Sequence, residues 1–221
     1  MLRDSFLSAV SDTGIISICR AIPDDKLFLC ADVLIEAGLR LMELTFDPSG
    51  DPKPTERALK ALVARYSDQL IFGAGTVLTS EQLYRAVDAG VSYIVSPNCD
   101  TSVITATKKA GLISIPGALT PSEIALAHAS GADLVKLFPA GIFGAEYFRA
   151  VKAPFKHIPI AAVGNITSEN LVAFYRAGAQ GFGVSTGIFE KTAVEEGDKA
   201  RILSRAKLYA ELYRSAKEGA K

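Results

Sequence analysis

The sequence has few of the residues that build cross-linked or metal-held scaffolds. Its 221 residues include only three cysteines and two histidines. The cysteines, Cys19, Cys30 and Cys99, are odd in number and show no C-x-x-C spacing, which favours reduced thiols over a disulfide framework or a zinc site. With only His128 and His157 available, a metal centre built on several histidines is also disfavoured.

An excess of one charge and long apolar runs are lacking as well. The chain has 24 basic and 24 acidic residues, which gives a formal net charge of zero. Nucleic acids and anionic membranes select proteins with clustered Lys and Arg, so we expect neither as a partner. No stretch approaches the roughly 18 consecutive apolar residues of a membrane span. The first ten residues have no signal-peptide core, so we expect a cytoplasmic protein.

The length and composition are those of an ordinary globular domain. Of the residues, 49% are apolar, and a chain of this size is expected to bury roughly 70% of the surface that its unfolded form exposes. No linker-like segment divides the sequence. We therefore predict one domain over residues 1–221.

The clearest organisation is a repeated dipeptide. An Ala-Gly or Ser-Gly pair ends a helix-like stretch five times, at residues 37–38, 89–90, 110–111, 130–131 and 177–178. A run rich in β-forming residues follows each pair. A left-handed glycine at a helix C-terminus has this effect before a chain turns back into a sheet.

These runs predict eight strands with helices between them. The predicted strands are Ile15–Ala21, Leu39–Phe46, Leu70–Val77, Val91–Asn98, Leu112–Leu119, Asp133–Pro139, Ile158–Asn165 and Gly181–Phe189. Eight such units predict a (β/α)8 barrel. The alternative is a doubly wound open sheet, but no G-x-G-x-x-G follows the first strand. A final helix is predicted over Lys191–Ala216.

Lys136 is the most informative polar residue in the predicted strands. Strand alternation places it on one face with Leu134 and Phe138, opposite Val135 and Leu137. If the aliphatic pair faces the helices, the amine points into the barrel, where desolvation lowers its pKa. A buried lysine of this kind is either a Schiff-base nucleophile or one half of an ion pair.

Glu43 is a second charged residue in a predicted strand, on the face of Leu41 and Thr45. A buried carboxylate is unfavourable unless it is paired. One possibility is that Glu43 and Lys136 simply neutralise each other. The other is that the amine attacks a ketone while the carboxylate moves protons, and the two possibilities are compatible.

Further polar residues occur at the ends of predicted strands, where barrels of this type carry their chemistry. Arg20 is suited to binding a carboxylate or phosphate, or else is a rim residue paired with Asp24 or Asp25. The segment Gly73–Thr76 lets a backbone approach a ligand and offers a hydroxyl. The turns after the last two strands either bind a phosphate on their backbone N–H groups or are ordinary capped turns; their candidate residues are Gly164, Asn165, Ser185 and Thr186.

Taken together, these motifs resemble the class I 2-keto-3-deoxy-6-phosphogluconate aldolase family, over about residues 12–190. That family includes 4-hydroxy-2-oxoglutarate and 2-keto-3-deoxy-6-phosphogalactonate aldolases. The matching segments are Ile18–Arg20, Met42–Thr45, Gly73–Leu78, Ser96–Pro97, Ile115–Gly117, Val135–Pro139 and Ala162–Gly164. Phe143–Phe148 and Ala162–Asn170 are more similar to the phosphogalactonate branch.

The resemblance implies a role for each matching residue. Lys136 would form the Schiff base with pyruvate or the ketoacid, and Glu43 would act as acid and base. Arg20 and Thr76 would hold the pyruvyl carboxylate. The remaining assignments are Pro116 and Phe138 for the shape of the pocket and the loops at Gly164 and Thr186 for the distal phosphate. The resemblance implies no metal or cofactor, and a homotrimer.

The chain departs from the family pattern at three places. Asp47 replaces the arginine usual four residues after the glutamate, Asn165 replaces the second glycine of a Gly-Gly pair, and Val184–Thr186 replaces Gly-Gly-Ser. A carboxylate in place of a cation repels an anionic substrate group. Either Arg20 carries the substrate carboxylate alone, or Asp47 binds a hydroxylated, less anionic substrate.

We therefore expect a class I aldolase that cleaves a 2-keto-3-deoxy-6-phospho sugar acid, of gluconate or galactonate type, or 4-hydroxy-2-oxoglutarate. The products would be pyruvate and an aldehyde. Two alternatives are a barrel that binds a sugar phosphate or ketoacid without turning it over, and an isomerase or epimerase in which Lys136 only polarises a carbonyl.

Overall fold

The computed structural model describes residues 2–219, which form nine parallel strands with helices between them. The strands are β1 (Ile15–Cys19), β2 (Leu41–Thr45), β3 (Ile71–Gly75), β4 (Tyr93–Val95), β5 (Ile113–Ile115), β6 (Gly117–Ala118), β7 (Val135–Leu137), β8 (Ile160–Val163) and β9 (Gly181–Val184). The helices are α1 (Leu2–Thr13), α2 (Leu27–Glu36), α3 (Lys53–Tyr66), α4 (Ser80–Asp88), α5 (Thr101–Lys109), α6 (Pro121–Ala129), α7 (Ala140–Lys152), α8 (Leu171–Arg176), α9 (Lys191–Glu196) and α10 (Lys199–Glu218).

The sheet closes on itself at a strand interrupted by proline. Its order is β5-β4-β3-β2-β1-β9-β8-β7-β6, and β5 and β6 are separated only by Pro116. Proline has no N–H to donate to a ladder. Its carbonyl still accepts from the N–H of Lys136 at 2.8 Å. The predicted (β/α)8 barrel is therefore confirmed, with its fifth strand in two pieces.

The repeated glycines behave as the sequence predicts. The glycines at 38, 90, 111, 131 and 178 all have positive φ, between 74° and 103°. Each lies directly after or close to the end of a helix, where a left-handed residue turns the chain toward the next strand.

Two parts of the chain differ from the prediction. The prediction of one long final helix is wrong, because Gly197, with φ of 69°, separates α9 from α10. The helix α1 was not predicted at all. Its Phe6 is fully buried, and the centroid of the Phe6 ring lies 5.3 Å from that of Tyr93. Helix α1 therefore packs against the barrel interior.

The two faces of β7 settle the orientation of Lys136. Val135 and Leu137 belong to the core between barrel and helices. Leu134 belongs to a second apolar cluster inside the barrel, and Phe138 packs against it. The prediction that Lys136 faces the interior is confirmed. Among residues 2–219, no helix has the length and apolar character needed to cross a bilayer.

Candidate active site

Lys136 is held inside the barrel near the carboxyl end of β7, where its residue is 3% exposed. Its Nζ atom lies 4.8 Å from the centre of the Phe138 ring. Burial lowers the pKa of the amine; the carboxylate of Glu43 opposes this shift, and the guanidinium of Arg20 adds to it. The site therefore increases the neutral, nucleophilic fraction of this amine.

Glu43 lies on the interior face of β2 and is 2% exposed. Burial raises its pKa, and the positive charges of Lys136 and Arg20 partly oppose the rise. The pair thus influence each other electrostatically inside one barrel. Among the described residues, Oε1 of Glu43 has no hydrogen-bond partner. A carboxyl group with a raised pKa and a free oxygen is suited to accepting and returning protons.

The glycines of β3 make room for side chains of neighbouring strands. A Cβ on Gly75 would overlap Oε1 of Glu43, and a Cβ on Gly73 would overlap the ring of Tyr93. The sequence suggested that this segment lets a backbone approach a ligand. In the structure, these two glycines instead leave space for Glu43 and Tyr93.

Arg20 and Thr76 follow β1 and β3 at the same end of the barrel. In the alternative, Arg20 would be a rim residue paired with Asp24 or Asp25. Among the described residues, Arg20 forms an ion pair with neither, and Asp25 pairs with Lys26 at 3.4 Å. Thr76 has φ of 56°, an uncommon conformation for a β-branched residue. Such strain often occurs at ligand-binding positions.

A cavity of about 560 Å³ opens beside Lys136 and contains most of the predicted site. Predicted residues in its wall are Arg20, Lys136, Phe138, Gly164, Asn165, Ser185 and Thr186. Asn165 has φ of 54°, which asparagine tolerates better than most residues. The loops after β8 and β9 are therefore brought together with the amine in one cavity.

Two residues of this cavity wall, Arg205 and Tyr209, come from α10 and were missed. Arg205 donates from Nε to the carbonyl of Gly187 at 2.8 Å and from an Nη atom to that of Thr186 at 3.4 Å. Tyr209 donates to the carbonyl of Ile166 at 3.4 Å. Their spacing of four residues on one helix face was a signal, but the sequence did not indicate which loop that face would meet.

Asp47 and Thr76 lie in a second cavity, of about 440 Å³, which shares Arg20 with the first. The carboxylate of Asp47 accepts hydrogen bonds from the backbone N–H and hydroxyl of Ser49, each at 2.9 Å. These bonds keep the pKa of Asp47 below its usual range. The Asp47 carboxylate therefore forms its hydrogen bonds within its own loop.

Two candidates, Pro116 and Glu43, lie outside the walls of both cavities. Pro116 is buried between β5 and β6, and its carbonyl accepts a hydrogen bond from the backbone N–H of Lys136. In the part of the chain that the structure describes, no group of three or more His, Cys, Asp or Glu side chains has an arrangement that would hold a metal ion.

Comparisons with known proteins identify the family of this chain. A family model described as KDPG and KHG aldolase matches residues 8–205. The 2-dehydro-3-deoxy-6-phosphogalactonate aldolase of Escherichia coli (strain K12) is 32% identical over 91% of this chain and 95% of its own length. A 2-dehydro-3-deoxy-phosphogluconate aldolase of Pseudomonas aeruginosa is 31% identical, with 80% of each chain covered.

A solved structure described as native KDPGal is similar in both fold and sequence. It has a TM-score of 0.83 and 32% identity, covering 92% of this chain and 96% of its own. The family match spans most of the chain and includes every site residue predicted from the sequence. The chain therefore belongs to the KDPG and KHG aldolase family and is a carbon–carbon lyase.

Proposed function

We propose that this protein is a class I aldolase that cleaves a 2-keto-3-deoxy-6-phospho sugar acid to pyruvate and a phosphorylated aldehyde through a Schiff base on Lys136. The observation that carries the proposal is the buried amine itself. It has a lowered pKa, borders a cavity of about 560 Å³ and acts electrostatically on Glu43.

The proposed reaction begins when neutral Nζ of Lys136 attacks the C2 carbonyl and forms a carbinolamine. Protonated Glu43 assists departure of water, which leaves an iminium ion. Glu43 then takes the proton of the C4 hydroxyl, the C3–C4 bond breaks, and its electron pair moves into the iminium to give an enamine. After the aldehyde leaves, protonation at C3 and hydrolysis release pyruvate and restore the amine.

We assign the substrate carboxylate to Arg20 and Thr76, at the rim of the same barrel end. Arg20 then binds the substrate carboxylate without the arginine that the family pattern has at position 47. The Asp47 carboxylate at that position accepts hydrogen bonds from Ser49. Asp47 then shapes its loop and does not contact substrate. Phe138, beside Nζ, and Pro116, bonded to the backbone of Lys136, shape the reacting pocket.

We assign the distal phosphate to the loops after β8 and β9, which contain Gly164, Asn165, Ser185 and Thr186. Arg205 supports the assignment, since it places a positive charge beside the second loop. Backbone N–H groups are also suitable hydrogen-bond donors to a phosphate at this end of the barrel. The galactonate-type substrate is the first candidate because of the 32% identity to the Escherichia coli enzyme.

The direct test is release of pyruvate from three compounds: 2-keto-3-deoxy-6-phosphogalactonate, 2-keto-3-deoxy-6-phosphogluconate and 4-hydroxy-2-oxoglutarate. We expect the highest kcat/KM with a phosphorylated sugar acid. Absence of pyruvate with all three would refute the proposal. Stabilisation of the protein by these compounds without turnover would instead favour a binding barrel.

The proposal includes a homotrimer in the cytoplasm. Support for assembly comes from the family resemblance and from Ile142 and Phe143, which are 67% and 46% exposed on α7, directly after the Lys136 strand. Free Cys19, Cys30 and Cys99 suit a reducing compartment. Sedimentation equilibrium tests the trimer, and a monomeric mass would refute it.

A further inference from the structure

Tyr93 is a fully buried residue that the proposed reaction does not use. It is 0% exposed and belongs to the apolar cluster inside the barrel. Among the described residues, its hydroxyl has no hydrogen-bond partner. A buried hydroxyl without a partner is unfavourable, and buried tyrosines normally direct this group to an acceptor.

The strand register places Tyr93 and Glu43 on either side of one glycine. Gly73 of β3 pairs with Glu43 of β2 on one side and with Tyr93 of β4 on the other. A Cβ on Gly73 would overlap the Tyr93 ring. The ring therefore lies across Gly73, in the space between its own strand and the strand of Glu43.

The two side chains have complementary hydrogen-bonding groups. Tyr93 has an unpartnered donor and Glu43 has an unpartnered acceptor, Oε1. They also act on each other electrostatically: burial raises the pKa of Tyr93, and the charge of Glu43 raises it further. Ser17 has the third unpartnered buried side-chain oxygen among residues 2–219. Its neighbours Ile16 and Ile18 face the barrel interior, so Ser17 faces the helices.

We propose that Tyr93 is a positioning residue for Glu43: its hydroxyl donates to one water, which in turn donates to Oε1 of Glu43. This water-mediated bond holds the carboxylate in the orientation that serves Lys136. It also favours the ionised form of Glu43, in the same sense as the nearby charges of Lys136 and Arg20 and against burial. Cys19, which points to the helix side of β1, is a further titratable group near this pair: burial and Cys30 raise its pKa, and Glu43 adds to the rise. Cys19 in turn adds to the rise in the pKa of Tyr93.

The first test measures the bond without activity. Tyr93→Phe, Glu43→Met and the double variant are compared by urea unfolding. We expect Tyr93→Phe to reduce stability when Glu43 is present and not when it is Met. Tyr66→Phe is the matched control, because its hydroxyl donates to Asp32 at 2.6 Å and its loss should have the same effect in both backgrounds. Equal effects of Tyr93→Phe in both backgrounds would overturn the proposal.

The second test rests on the proposed function and uses the pH profile. We expect Tyr93→Phe to lower kcat about tenfold, the scale of one hydrogen bond to a charged group, with little change in KM. The basic limb of the kcat profile, where Glu43 loses the proton that it gives to the departing water, should move to higher pH, since Glu43 loses a bond that favours its ionised form. An unchanged limb would overturn the proposal. If the wild-type protein cleaves no ketoacid, the proposed function fails, and the unfolding cycle alone decides the bond between Tyr93 and Glu43.

Discussion

The carboxylate of Glu43 occupies the space that a side chain on Gly75 would fill. The relationship predicts that Gly75→Ala displaces the carboxylate while leaving the barrel folded. We expect kcat to fall by about a hundredfold, the scale of losing a general acid-base group. The measurement is kcat for pyruvate release, with circular dichroism as a check on folding.

Gly181→Ala is the matched control for this variant. Gly181 lies in β9, and its added Cβ would meet Val10 only at 3.4 Å, an ordinary contact. We expect near wild-type kcat from it. If Gly75→Ala and Gly181→Ala had the same kcat, the space at Gly75 would not matter for Glu43.

The charges around Lys136 predict how imine formation depends on pH. The rate of adduct formation at saturating pyruvate should rise through the pKa of Lys136, with a midpoint below the ordinary lysine value of about 10.4. Glu43 raises that pKa and Arg20 lowers it. Glu43→Gln should therefore move the midpoint to lower pH, and Arg20→Gln should move it to higher pH.

Cyanoborohydride trapping at a series of pH values gives these midpoints for the wild type and both variants. A shared midpoint for all three proteins would contradict the electrostatic account of the amine.

Arg205 predicts a selective effect on phosphorylated substrates. Arg205→Met removes the charge beside Thr186 and Gly187. We expect KM for a phosphorylated sugar acid to rise about tenfold, the scale of one charge-assisted bond. The rate of adduct formation with pyruvate, which has no phosphate, should not change.

Arg201→Met provides the control, since Arg201 also pairs with Glu190 but lies outside the cavity wall. It should leave KM for the phosphorylated substrate unaltered. An equal loss with phosphorylated and unphosphorylated substrates in Arg205→Met would show that this arginine only supports the fold.

Much of the barrel was accessible from the sequence, because each repeat carries its own local signals. The left-handed glycines and the apolar runs depend on neighbouring residues, and both located the strands along the chain, although the observed strands are shorter than predicted and the fifth is in two pieces. The orientation of Lys136 also followed from alternation along β7. By contrast, the break at Gly197 was missed because the charged, helix-favouring residues around it continue on both sides.

The unpredicted parts of the site depend on contacts between distant segments. Arg205 reaches the loop of Thr186 from the last helix, and the ring of Tyr93 lies across Gly73, the residue of β3 that pairs with Glu43. Asp47 lines the second cavity with Arg20, but the sequence did not indicate that its carboxylate accepts hydrogen bonds from Ser49, two residues away. Sequence patterns indicate which residues are unusual; the packing decides which partner each one has.

The most direct test of the central claim is intact-mass analysis after borohydride reduction in the presence of pyruvate. We expect one reduced adduct on the wild-type protein and none on Lys136→Ala. Lys152→Met is the control, since burial also lowers the pKa of Lys152, and it should still form the adduct. No adduct on the wild type, or an adduct that persists in Lys136→Ala, would contradict a Schiff base on Lys136.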